Sequence, residues 1–178
     1  MPRQHDGIAS RHSGEREEIE SLAVDLSIPL KNQFEMQLKA SPDPGKAVQY
    51  LSSLKERHPE AFQRLTSVPA RLHYLITVFS YSHFLSGEIL RNPQWLEQVS
   101  EMDRALSAEE YLARLEQFLG PENRDVPPAY SLALFRRQQI LRIVLRDVLG
   151  FCALSEITEE LSNLADAILD LSYDRIRA

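Results

Sequence analysis

Leu72-His73-Tyr74-Leu75-Ile76-Thr77-Val78-Phe79-Ser80-Tyr81-Ser82-His83-Phe84-Leu85-Ser86-Gly87-Glu88-Ile89-Leu90 is the one stretch of this chain where a strand could compete with a helix. Its run from Leu75 to Phe79 is rich in strand-forming side chains. Length decides the matter: from Pro69 to Leu90 no turn signal intervenes before Gly87, and strands that long are uncommon. Leu72, Leu75, Ile76, Phe79 and His83 also fall at the spacings of a single helical face. The stretch reads as one helix opened by Pro69, and the chain with it as all-α, with no sheet.

The same period recurs on either side. Upstream, Ile19, Leu22, Ala23 and Leu26 share a face until Pro29 interrupts. Leu30, Phe34 and Leu38 then repeat every four residues until Ser41-Pro42-Asp43-Pro44-Gly45 stops the run. A helix starting near Lys46 carries Ala47, Tyr50, Leu51 and Leu54 inward, and Pro59 suits the first turn of the next. Downstream, Asn92 is placed to cap a turn with Pro93 at its first position, and Ser107 with Glu110 matches a capping box for a helix reaching Leu119. Ala129 to Leu149 is amphipathic through Leu134, Leu141, Leu145 and Val148, with Gly150 placed to end it. Ser155 is the expected cap of a last helix whose stripe is Ile157, Leu161, Leu164, Ile168 and Leu171. That stripe is short for a coiled coil and suits packing inside a bundle.

The expected architecture is a multi-helix bundle of about seven to nine helices. It divides into a disordered tail (1–14), an N-terminal helical region (15–121), an exposed loop (122–128) and a long antiparallel helix pair (129–178). A chain of 178 residues can bury a sizeable core. With 26 acidic against 20 basic residues and a net charge of -6, it lacks the basic stripe of a nucleic-acid reader. Cys152 is the single cysteine, so no intrachain disulfide forms, and a reducing, cytoplasmic setting is expected. No apolar run approaches the ~20 residues that cross a bilayer, and Met1 to Gly14 has no apolar core of a secretory signal.

No catalytic, cofactor-binding or metal-binding residue is assigned. His73 and His83 are too far apart on one helix for the adjacent-turn spacing that grips a metal; His83, on the apolar stripe, reads as a core histidine. Cys152 has no neighbouring histidine to generate a thiolate. The six glycines are scattered, so no phosphate-cradling loop exists. Glu17-Glu18, Glu109-Glu110 and Glu159-Glu160 stand at predicted helix starts or solvent faces, where they complement the helix dipole. The most suggestive polar group is Arg136, Arg137, Arg142, Arg146 and Asp147 on one helix. Arg142 and Arg146 share a face, within reach of Glu159, Asp166 or Asp170 if the last helix returns antiparallel. They serve either salt-bridged packing or contact with an adjoining domain or a phosphate-bearing partner.

Around these arginines the chain resembles a known family. Leu134-Phe135-Arg136-Arg137-Gln138-Gln139-Ile140-Leu141-Arg142-Ile143-Val144-Leu145-Arg146-Asp147-Val148-Leu149-Gly150 is similar to the FRR-x-x-x-LRI-x-LRD-x-LG signature of glutamine synthetase adenylyltransferases. Leu154, Glu156, Ile157, Thr158, Glu160, Leu161, Ser162, Leu164, Ala165, Asp166 and Ala167 resemble that family's next helix, and Leu90-Arg91-Asn92-Pro93 an upstream turn. Gln138 and Gln139 depart from it, standing where charged residues are common in the family. The resemblance implies a role in nitrogen control. Such enzymes use ATP and magnesium to transfer AMP to glutamine synthetase and remove it by phosphorolysis, under the PII signalling protein. Their nucleotidyltransferase domains carry a glycine-rich turn followed by paired aspartates, and no such pattern occurs here, so no catalytic position is carried over. The expectation is a non-catalytic N-terminal helical segment flanking the first nucleotidyltransferase domain, with the remainder of that enzyme, glutamine synthetase and PII as partners. The alternative is a stand-alone helical adaptor.

Overall fold

Proline decides where the early helices begin. Pro29, Pro44, Pro59 and Pro69 each occupy the first turn of a helix: α2 (Ile28–Ala40), α3 (Pro44–Arg57), α4 (Pro59–Thr66) and α5 (Pro69–Tyr81). There the missing N–H costs nothing and the fixed φ is already helical. The computed structural model describes residues 17–24, 26–120 and 128–177. Residues 17–23 form α1, and the order continues with α6 (His83–Arg91), α7 (Gln94–Glu97), α8 (Ala108–Phe118), α9 (Pro128–Val148) and α10 (Leu154–Arg177). No strand occurs among the described residues. The predicted tail at 1–14 and the loop at 122–127 lie outside them; Pro128, read as loop, is the first residue of α9.

Contacts divide the chain into two units, Met1–Gln98 and Val99–Ala178. The sequence reading grouped α8 with the helices before it, whereas α8 packs along α10 and α9 within the second unit.

In the first unit α5 is central, with α2, α3, α4, α6 and α7 all packed on it. That placement explains its composition: Leu72, Leu75, Ile76, Thr77, Val78, Phe79 and Ser80 are all buried. A helix covered on every side shows a continuous apolar run, which in sequence imitates a buried strand. Ser80 avoids an unmet hydroxyl by donating to the Thr77 carbonyl at 3.1 Å.

The single helix expected over Pro69–Leu90 is in fact two. Ser82 sits between them in an extended conformation (φ -131°, ψ 107°), and its Oγ accepts from the Leu85 N–H at 3.2 Å. The Ser82 and Ser86 N–H groups keep their bonds to the Val78 and Ser82 carbonyls at 3.0 and 2.9 Å, and Ser86 Oγ lies within hydrogen-bond distance of the same two carbonyls, at 3.2 and 2.7 Å. The Ser82 cap on the Leu85 N–H is the alternative that serine offers the backbone to a continued helix. The break rotates His83 out of the core: it is exposed, and its Nδ1 pairs with the Tyr50 hydroxyl. Asn92 likewise closes α6, its N–H bonded to the Glu88 carbonyl at 2.9 Å, and does not open α7.

The second unit wraps α8, α9 and α10 around Leu106, Tyr111, Leu115, Phe135, Ile143, Ile157, Leu164 and Ala167. The Ser107–Glu110 capping box starts α8 as expected. Gly150 ends α9 at φ 71°; the Phe151 N–H reaches the Arg146 carbonyl at 2.9 Å and the Gly150 N–H that of Asp147 at 3.0 Å, a Schellman closure. α10 starts at Leu154, one residue before the expected cap Ser155, and the Ala153 carbonyl receives the N–H groups of Glu156 and Ile157. Its inward face is Ile157, Glu160, Leu164 and Ala167. Leu161, read as part of the stripe, is 40% exposed.

Candidate functional site

Three long helices alone would leave the connecting segment at Ser100–Leu106 without partners for its carbonyls. α9 and α10 supply them. Arg142 and Arg146, one turn apart on α9, and Glu160 on α10 are all buried, Arg146 and Glu160 completely. Glu160 Oε1 accepts from the Leu106 N–H at 3.0 Å, the Tyr111 hydroxyl at 2.9 Å and Arg142 Nη1, while Oε2 accepts from Arg146 Nη1. The guanidinium groups also reach the segment's backbone. Arg142 Nε donates to the Ser100 carbonyl at 3.0 Å, and its Nη2 to the carbonyls of Glu101 and, at 2.6 Å, Arg104; Arg146 Nε donates to that of Met102 at 3.2 Å. Asn163 Nδ2 adds a bond to the Leu106 carbonyl at 2.9 Å.

A second layer of charge surrounds this cluster. Glu101, at φ 52°, binds Arg104 and Arg114 through its carboxylate. Arg104 also binds Glu110 at 2.7 Å. The hydrogen bond from Arg104, then that from the Ser107 N–H, hold the Glu110 carboxyl at about 2 instead of 4.5. Burial, and then the neighbouring Glu160 charge, push the Tyr111 hydroxyl well above its ordinary value. Burial, then the charge of Arg142, lower Arg114.

Chemically the arrangement positions backbone. A completely buried carboxylate paired with two guanidinium groups is shut off from any substrate whose proton it could abstract or whose centre it could attack. Arg146 Nη2 makes no hydrogen bond, with Glu156 Oε2 3.5 Å away. No group of three or more His, Cys, Asp or Glu side chains that could hold a metal ion occurs among the described residues.

Of the four arginines singled out from sequence, the fold brings Arg142 and Arg146 together and leaves Arg136 exposed and Arg137 half-buried. The buried carboxylate they share is Glu160, in place of Glu159, Asp166 or Asp170, all three of which are exposed. Read from sequence with Glu159 as a helix-start or solvent-face carboxylate, Glu160 is instead completely buried, because two arginines of α9 meet it there. Leu106 and Tyr111 gave no signal, because their role depends on which helix lies beside them. His73 is half-buried and burial lowers its pKa, and burial raises that of the Cys152 thiol. Neither joins the cluster.

The described residues thus define an all-α protein whose densest charge cluster faces its own interior. The family model for glutamate-ammonia ligase adenylyltransferase matches residues 72–177, which include the whole cluster, and the chain belongs to that family. One curated relative, a bifunctional glutamine synthetase adenylyltransferase/adenylyl-removing enzyme of Shewanella loihica (strain ATCC BAA-1088 / PV-4), is 28% identical over 129 residues. That stretch is 72% of this chain and 13% of the relative. No solved structure matches. No helix among the described residues is long and apolar enough to cross a membrane.

Proposed function

We propose that this chain is a non-catalytic helical module of a glutamine synthetase adenylyltransferase, flanking and supporting the first nucleotidyltransferase domain of a cytoplasmic enzyme of nitrogen regulation. The single observation that carries the reading is where the signature arginines go. Arg142 and Arg146, within the stretch that most resembles the family, are consumed in holding Glu160 and the carbonyls of residues 100–104. Residues spent in this way build a scaffold, and a scaffold next to a nucleotidyltransferase domain is rigid support for chemistry done elsewhere. ATP and magnesium belong to that neighbouring chemistry. The described residues offer them no convergent carboxylates, and no residue of this chain is assigned to either. Arg136, left at the surface, is the member of the four best placed to meet an adjoining domain, glutamine synthetase or PII.

The test is an AMP-transfer assay with the purified chain, labelled magnesium-ATP and glutamine synthetase. No incorporation is expected, and transfer above background would end the proposal. Stable retention of glutamine synthetase by the isolated chain would instead favour an adaptor.

A further inference from the structure

α10 has a second apolar face. Leu154, Leu161, Leu169 and Tyr173 are 76, 40, 65 and 58% exposed, and Ala165 lies among them. At 3.6 residues per turn these five fall in one stripe roughly 30 Å long, beside and not within the face that packs into the second unit. The polar residues in the stripe are already satisfied. Thr158, Ser162 and Ser172 turn their hydroxyls onto the carbonyls of Leu154, Thr158 and Ile168, at 3.0, 3.0 and 2.6 Å. Covering this face would therefore strand few polar groups. Single exposed leucines need no explanation, but a register of them along a helix marks an interaction surface.

Along one edge of the stripe stand the exposed carboxylates of Glu159, Asp166 and Asp170, at spacings that keep them on the same side. From that edge we infer that the face docks a basic amphipathic helix of a partner, its apolar stripe lying on Leu161 and Leu169 and its Lys or Arg flank opposite the three acids. The charges argue against an antiparallel two-fold pairing with a second copy of this chain, which sets each acidic edge against the other. They argue equally against nucleic acid. The inference does not depend on the proposed function, since it rests on exposure and charge alone.

The experiment uses the full 178-residue chain and two synthetic helical peptides, measured by fluorescence anisotropy at low and high salt. Both carry leucines at helical spacing; one is flanked by Lys and Arg, the other by Glu. The basic peptide is expected to bind and the acidic one not. The combination Glu159→Gln, Asp166→Asn and Asp170→Asn should weaken binding on the order of tenfold and flatten its salt dependence. Leu161→Ser with Leu169→Ser should abolish binding while leaving the circular dichroism melt in place, because both side chains lie outside the core. Equal binding of both peptides, binding of neither, or a dimer in sedimentation that the serine variant dissolves would each overturn the inference.

Discussion

Glu160 lies between two buried guanidinium groups, and its carboxylate is the acceptor on which the second unit closes. Desolvating three charges is costly, and the cost is offset only while each finds its partners. Glu160→Gln keeps the shape but leaves Arg142 and Arg146 without their counter-charge, so urea unfolding should show a loss of about 3–5 kcal/mol. Buried ion pairs can often be replaced by apolar residues at little cost. Here the arginines also hold the carbonyls of Ser100, Glu101, Met102 and Arg104, each worth about 1–3 kcal/mol if abandoned. The combination Arg142→Met, Arg146→Leu and Glu160→Leu should therefore stay clearly less stable than the parent chain in the same measurement. Equal stability would show that those carbonyls find other donors.

At the scale of the element, the ends of α8 and α9 are set by single residues. Ser107 accepts the Glu110 N–H, and the Glu110 side chain returns the bond to the Ser107 N–H at 2.9 Å. Ser107→Ala should lower stability by about 1 kcal/mol in thermal melts, as the loss of a serine cap generally does. Gly150 holds φ at 71°, and a Cβ there would meet nothing within 4 Å. Gly150→Ala should thus cost about 1 kcal/mol through conformation alone, with no clash to relieve. Such ends were readable because caps and left-handed glycines act on the backbone within a few residues. The Ser82 break was not, since a serine between two apolar runs is equally compatible with a helix that continues.

For the molecule as a whole, the displaced pKa values of Glu110 and His73 contribute to how stability follows acidity. Glu110 titrates at about 2 when folded against 4.5 ordinarily. Its contribution is complete above about 4.5 and is lost as pH falls toward 2, because the unfolded carboxyl takes its proton first. The melting temperature should fall across that window, and Glu110→Gln should flatten the slope. Burial holds His73 below 6.5. There the unfolded imidazole protonates first, so stability should begin to decline as pH drops below 6.5, and His73→Gln should remove that part of the decline.

The sequence by itself determined the helical class, most helix boundaries in the first unit, the capping box, the closing glycine and the family signature. All of these act through neighbours along the chain or through residue order, so no knowledge of packing is needed to see them. Tertiary structure alone decided that α8 belongs with α9 and α10, that five helices pack on α5 and bury it without a break from Leu75 to Ser80, and that Glu160 takes a core position while Leu161 turns outward. The reason is that burial of a charge depends on which groups meet it from other elements. Glu160 is stable inside only because two arginines from α9, a tyrosine from α8 and a backbone N–H from the segment before α8 converge on it, and no local pattern records that convergence.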